Sequence, residues 1–404
     1  MIGWTAIRRE PFRVLFPLGM LFGILGVGRW LLYAAGVQPA ASGSFHALTQ
    51  IGGFMLCFIA GFLMTMLPRF AAAPAASTAE LLSLLGGVAT LVWAAGQQWW
   101  MAAELLFTGI LLLLACFVGR RISSRRTGGA PPVEFIWIGV GLLHGLLGVA
   151  FMTAGRIGAP VWMAAAGRPL LLQGTVLAMV TGVAGFMAPR LMGHPVVMGG
   201  PDVSPVSLQR RRLQRHAMAA LLFLASFLVE GAGAVRAAYL LRAAVVTAVL
   251  ATSTRCYRIP RAQDLYVWFL WASLWLILAG LWGAGLWPRY RVTLLHLVFI
   301  GGLSLMIFSV ATMVVLSHAG QGHRLRGWLW VLPVIGIGVL GAITSRLAAD
   351  LHPAAYNLLI GMAAACWIIP AAAWLIFSAP HLVRQVPEET FDQGHEEAKR
   401  RLRS

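Results

Sequence analysis

Residues 293–316 read TLLHLVFIGGLSLMIFSVATMVVL, a run without a single Asp, Glu, Lys or Arg. A helix rises 1.5 Å per residue, so this run reaches about 36 Å and crosses a hydrocarbon layer of about 30 Å. Runs of the same kind lie near 14–35, 46–68, 81–97, 101–119, 134–154 and 170–188, then near 216–232, 235–252, 265–285, 328–345 and 354–378. The charges collect in the short gaps between them. The sequence therefore predicts an all-α fold, a polytopic integral membrane helical bundle of about twelve transmembrane helices.

Composition points the same way. The chain has 404 residues, 59% of them hydrophobic and 11% charged, with a mean hydropathy of +0.79; a soluble domain is about 25% charged. The net charge of +18 invites a nucleic-acid reading, but the basic residues flank apolar helices instead of covering a soluble surface, so no nucleic-acid partner is expected. The four cysteines, Cys57, Cys116, Cys256 and Cys366, form no Cys-x-x-Cys pair and predict no disulfide framework. Arg8, Arg9 and Arg13 precede an apolar run from about Phe16 to Ala35, longer than a signal-peptide core, which reads as an uncleaved first span.

Arginine sets the expected orientation, because basic residues in short loops stay on the cytoplasmic side. With the amino terminus inside, that side gathers Arg120, Arg121, Arg125 and Arg126, then Arg210, Arg211, Arg212 and Arg215, then Arg255, Arg258 and Arg261, and finally Lys399, Arg400, Arg401 and Arg403. The opposite loops hold scattered ones such as Arg156, Arg168, Arg289 and Arg346. Both termini are thus expected in the cytoplasm, with the bacterial inner membrane as the site of residence. The organisation that follows is a first six-helix half at 1–192, a basic linker at 193–215, a second six-helix half at 216–380 and a polar tail at 381–404. Ala60-Gly61-Phe62 leading to Pro68-Arg69 resembles Ala184-Gly185-Phe186 leading to Pro189-Arg190, but proline ending a helix and arginine anchoring it account for both.

Inside the membrane the ionisable groups are where chemistry would lie, since a buried charge costs at least about 2.5 kcal/mol. His46 opens the second span and His296 the tenth, both from the outer face, which places the two imidazoles at matching depth. Gln50, Gly53 and Cys57 follow His46 on one helical face, and a glycine there lets a flat macrocycle approach the backbone. His318 lies 22 residues beyond His296, about 33 Å away, so those two cannot share a metal. His144 sits mid-span between Gly141 and Gly145. Two readings stand for these histidines: axial ligands of a non-covalent haem held by neutral imidazoles from facing helices, or helix-capping and core histidines bonded to a neighbour. Glu104 reads as an interfacial carboxylate, and Arg29 and Arg242 as side chains that snorkel or pair with a carbonyl. No Walker A loop, Gly-x-Ser-x-Gly elbow, His-Glu-x-x-His motif or Cys-x-x-Cys-His attachment sequence is present, which disfavours nucleotide hydrolysis, serine hydrolysis, zinc proteolysis and covalent haem.

Two stretches carry a family resemblance. Residues 45–70, FHALTQIGGFMLCFIAGFLMTMLPRF, and 296–320, HLVFIGGLSLMIFSVATMVVLSHAG, resemble without a gap the two signatures of the NnrS family, and Leu170 to Arg190 resembles a weaker third block. The resemblance implies a twelve-helix inner-membrane protein associated with haem b and copper, acting on nitric oxide or in nitrosative stress. Respiratory or denitrification proteins are the partners such a role implies. With the resemblance, His46 and His296 are expected as the axial ligands and His318 as a secondary candidate; the helical face below His46 puts Gln50 and Gly53 beside such a cofactor, and His144 is a further metal candidate by its mid-span position. Leu48 and Thr49 stand where the family has a His and a Glu, and Met313 where it commonly has Arg, which removes potential ligands and argues against copper here. The alternatives are a twelve-helix secondary transporter or permease built from two halves, and a cofactor-free assembly partner of respiratory complexes.

Overall fold

A computed structural model of the chain describes residues 3–125, 131–194 and 206–384. Among them, twelve helices are long and apolar enough to cross a membrane: α1 (Phe12–Ala34), α2 (Gly43–Ala71), α3 (Thr78–Gly96), α4 (Trp100–Ser123), α5 (Val133–Arg156), α6 (Val161–Leu191), α7 (Ser207–Gly231), α8 (Val235–Thr254), α9 (Leu265–Leu286), α10 (Pro288–His318), α11 (Val331–Leu351) and α12 (Pro353–Leu382). No strand occurs among the described residues. Beyond residue 384 the expected tail lies outside them, as do residues 195–205 of the expected linker; residues 207–215 of that linker are helix, because α7 begins near residue 207 and carries Arg210, Arg211, Arg212 and Arg215 on its first turns. Arginine is a good helix former, so the basic cluster extends the span instead of interrupting it.

The helices pack as three successive quartets. In each, the first helix lies along the second, and the third and fourth form a hairpin against it: α1–α4, α5–α8 and α9–α12. Contacts of α4 with α5, α8 with α9 and α12 with α1 close the ring. The second member of each quartet is central. Buried residues make up 89%, 72% and 78% of the apolar windows of α2, α6 and α10, against at most 50% in any other span.

Small residues let the first two helices of each quartet approach closely. A side chain on Gly19 or Gly26 of α1 would collide with Cys57 or Gln50 of α2, one on Gly141 or Gly148 of α5 with Met179 or Leu171 of α6, and one on Gly280 of α9 with Val298 of α10. The similarity between residues 60–69 and 184–190 falls on α2 and α6, the two equivalent central helices.

Each central helix also contains a π-helical segment: Thr49–Met55 in α2, Leu170–Gly174 in α6 and Leu297–Ser304 in α10. A π turn inserts an extra residue and disturbs the backbone ladder. In two of the three a hydroxyl at the segment's end bonds back to a carbonyl five residues earlier, Thr175 to Leu170 at 3.4 Å and Ser304 to Phe299 at 2.9 Å. The π segment also explains why α6 opens at Val161 and not at residue 170: Pro169 sits where the bonding pattern changes, so the Arg168–Pro169 pair lies within the helix and not at its boundary.

Candidate functional site

The arginine-rich loops define a basic end of the bundle; His46 and His296 lie toward the opposite end, in the first turns of α2 and α10. Each imidazole is half-buried and is followed by its helix's π segment. His46, Arg168 and His296 each stand six residues before a glycine of that segment, Gly52, Gly174 and Gly302, so two quartets present an imidazole where the middle one presents a guanidinium.

The α2 face bearing His46 is real, and α1 occupies it. His46 Nδ1 lies 3.1 Å from the Gly26 carbonyl and Gln50 Nε2 donates to the Gly23 carbonyl at 2.9 Å. Gly53 faces Phe22 of α1 and Val92 of α3, and Cys57 sits against Gly19. Gln50 is therefore engaged with backbone, and protein side chains fill the space in front of Gly53.

On α10, His296 Nδ1 lies 2.7 Å from the Val292 carbonyl one turn earlier. A carbonyl only accepts, so in both residues Nδ1 carries the proton and Nε2 presents its lone pair. Metal-binding imidazoles are oriented in this way, the remote N–H fixed by a backbone carbonyl. Arg346 of α11 acts electrostatically on both imidazoles. Arg346 donates to Asp350 Oδ1 at 3.1 Å, while Asp350 Oδ2 accepts from the Thr293 hydroxyl one helix away. The Arg29 guanidinium of α1 lies 4.0 Å over the Phe45 ring, next in sequence to His46.

His318 is elsewhere. At the basic end its Nδ1 lies 2.7 Å from Glu10 Oε1, its ring packs edge-on against Phe12, and Arg69 adjoins it. Arg13 adds bonds to the carbonyls of His318 and Leu382 and to Glu10, which ties α1, α2, α10 and α12 together. The Glu10 carboxyl feels burial, which raises its pKa, but the His318 hydrogen bond and charge, then Arg13 and Arg69, outweigh it and hold the group at about 2.

His144 is 1% exposed in α5, with Nδ1 2.6 Å from the Val140 carbonyl and its ring against Phe223, Phe227 and Gly174. Its Nε2 bonds no group among the described residues. Its charged neighbour is Arg242, so it belongs to the middle quartet and stands apart from the His46–His296 pair.

That quartet holds a polar network the sequence did not reveal. Arg242, fully buried, donates to Glu230 at 2.7 Å, Gln173 at 2.7 Å and Ser226 at 3.2 Å, and Gln173 in turn donates to Tyr239. Arg242 thus does not snorkel; it is neutralised from the adjoining helix. Glu104 likewise is buried, held by Arg156 at 2.6 Å instead of by interfacial water. The available signal was an opposite charge on a consecutive span in each case.

Among the described residues no three His, Cys, Asp or Glu side chains converge as a metal site. The Thr49 hydroxyl, at one of the positions where the sequence departs from the family signature, is buried and has no hydrogen-bond partner among the described residues. For His46 and His296, neither Nε2 has a hydrogen-bond partner among the described residues, which leaves two lone pairs as donors to a group that brings its own equatorial ligands. No curated protein matches the chain. The family described as NnrS protein matches residues 6–385, nearly the whole length, and the chain belongs to the NnrS family.

Proposed function

We propose that this NnrS-family member binds haem non-covalently between His46 and His296 and serves in the handling or sensing of nitric oxide. The observation that supports it is the matched state of the two imidazoles: both donate from Nδ1 to a backbone carbonyl, and neither Nε2 has a hydrogen-bond partner among the described residues. The carbonyls of Gly26 and Val292 fix the tautomers and raise the basicity of Nε2. The glycines of α1 hold His46 at its depth by letting the two backbones approach. Haem, when bound, would supply an iron that changes oxidation state, and a small diatomic ligand would reach that iron only by displacing one of the two imidazoles.

The arginine distribution supports assigning the basic end to the cytoplasm and the histidine pair to the outer half of the inner membrane. Copper finds no matching donor set at His46, where Leu48 and Thr49 supply neither imidazole nor carboxylate. The π segments recur every fourth span, which a carrier of two six-helix halves does not predict.

The test is the absorption spectrum of the detergent-purified protein, expressed with ample haem supply and recorded with and without dithionite. A Soret band that His46→Ala or His296→Ala abolishes, and that nitric oxide shifts in the reduced protein, supports the reading. A wild-type protein without a Soret band overturns it.

A further inference from the structure

Arg29 and Arg346 occupy corresponding places. Each lies five residues before the end of a helix that runs away from the basic end, α1 ending at Ala34 and α11 at Leu351, so both cations sit at a corresponding depth, Arg29 over Phe45, which adjoins His46, and Arg346 acting on both imidazoles. Arg29 is half-buried, rests on Phe45, and finds no carboxylate and no hydrogen-bond acceptor among the described residues. Arg346, with an 11% exposed side chain, gives one N–H to Asp350 and leaves its other donors without partners among the described residues. Two under-used guanidinium groups within the membrane span are costly unless an anion completes them.

We propose that Arg29 and Arg346 bind the two carboxylates on the edge of the haem, one each, and so set its rotation about the His46–His296 axis. The proposal rests on the haem reading above. A guanidinium fork matches a carboxylate in shape and charge, and haem carries two carboxylates on one edge and none on the other. Asp350 is suited to position Arg346, because its second oxygen is anchored by Thr293, three residues before His296. The same anionic chemistry is offered by a lipid phosphate, so the two sources need separate arms in the test.

Full-length haem-free protein in neutral detergent is titrated with haem and with its dimethyl ester, which has the same iron and ring but no carboxylates. Binding is read by the Soret band. Free-acid haem is expected to bind about tenfold more tightly than the ester, the size of a charge-assisted bond. In Arg29→Gln and Arg346→Gln that ratio should narrow while affinity for the ester stays unchanged, which separates loss of a carboxylate contact from damage to the fold. The haem midpoint potential should fall in each variant as a nearby positive charge is removed. Equal binding of acid and ester by the wild type overturns the proposal, as does a substitution that weakens both equally. If the ratio is unaffected while the variants retain less phosphatidylglycerol in nanodiscs, the arginines hold lipid phosphate and the proposal is wrong. Binding of neither porphyrin overturns the haem reading itself.

Discussion

Gly148 of α5 and Leu171 of α6 pass so closely that a methyl group on Gly148 would stand 2.6 Å from the Leu171 amide nitrogen and 2.9 Å from the Gly167 carbonyl oxygen. Backbone cannot move aside as a flexible side chain can. The contact falls at the π segment of α6, and its counterparts, Gly26 against Gln50 and Gly280 against Leu294 and Val298, fall at or beside the π segments of α2 and α10. Close approach of first and second helices is thus the recurring element of the three quartets, and in the first it brings the Gly26 carbonyl to His46.

Gly148→Ala should destabilise the protein by about 1–3 kcal/mol, the usual cost of overpacking. Gly139, on the same helix with open space around it, is the matched control: alanine there should be neutral or stabilise by up to about 1 kcal/mol through helix propensity. Thermal unfolding followed by tryptophan fluorescence in detergent measures both. Equal shifts in the two variants would contradict the packing argument.

Acid should weaken the clamp at the basic end. Glu10 is held at about 2 in the folded protein against an ordinary 4.5, so its stabilising contribution is present above pH 4.5 and is lost as the pH falls toward 2. The unfolding temperature of the wild type should therefore drop across that window more steeply than that of Glu10→Gln. Parallel curves would show that the carboxylate is not the group responsible.

Much of this architecture was legible. Hydropathy alone located all twelve spans, since each must satisfy its backbone within apolar surroundings. Direction along the chain put His46 and His296 on spans that enter from the same end. What failed to show was non-local. The π segments leave no compositional mark beyond a glycine, so the Arg168–Pro169 pair read as a boundary. The quartet repeat was present as the likeness of residues 60–69 to 184–190, but proline and arginine at helix ends explained it locally. Arg242 was recognisably inside an apolar run, yet its partners on α6 and α7 are set by packing, and no periodicity names them.

His318 provides a discriminating substitution. Because it serves Glu10 and the basic-end clamp, His318→Ala should keep any Soret band while lowering stability by about 1–3 kcal/mol, the range for a hydrogen bond to a charged group. His144→Ala should also keep the band. Loss of the band in well-folded His318→Ala would place a ligand at the basic end and contradict the assignment of His46 and His296.

The Arg242–Glu230 pair yields the sharpest energetic contrast. Arg242 has no solvent exposure and its guanidinium lies 3.7 Å over Phe227 and 4.5 Å over Tyr239, so it cannot reach water if its counter-ion is removed. Glu230→Gln should then cost about 3–5 kcal/mol, the penalty for leaving a buried charge uncompensated. Replacing both with apolar residues of similar volume, Arg242→Met with Glu230→Leu, removes the desolvation cost of both ions together and should be closer to neutral. Gln173 and Ser226 temper this, because each loses a partner when the guanidinium goes, at about 1 kcal/mol apiece. The expected order of unfolding temperatures is wild type, then the double variant, then Glu230→Gln. A double variant less stable than the single one would mean that the network, and not the charge balance, holds the α7–α8 hairpin against α6.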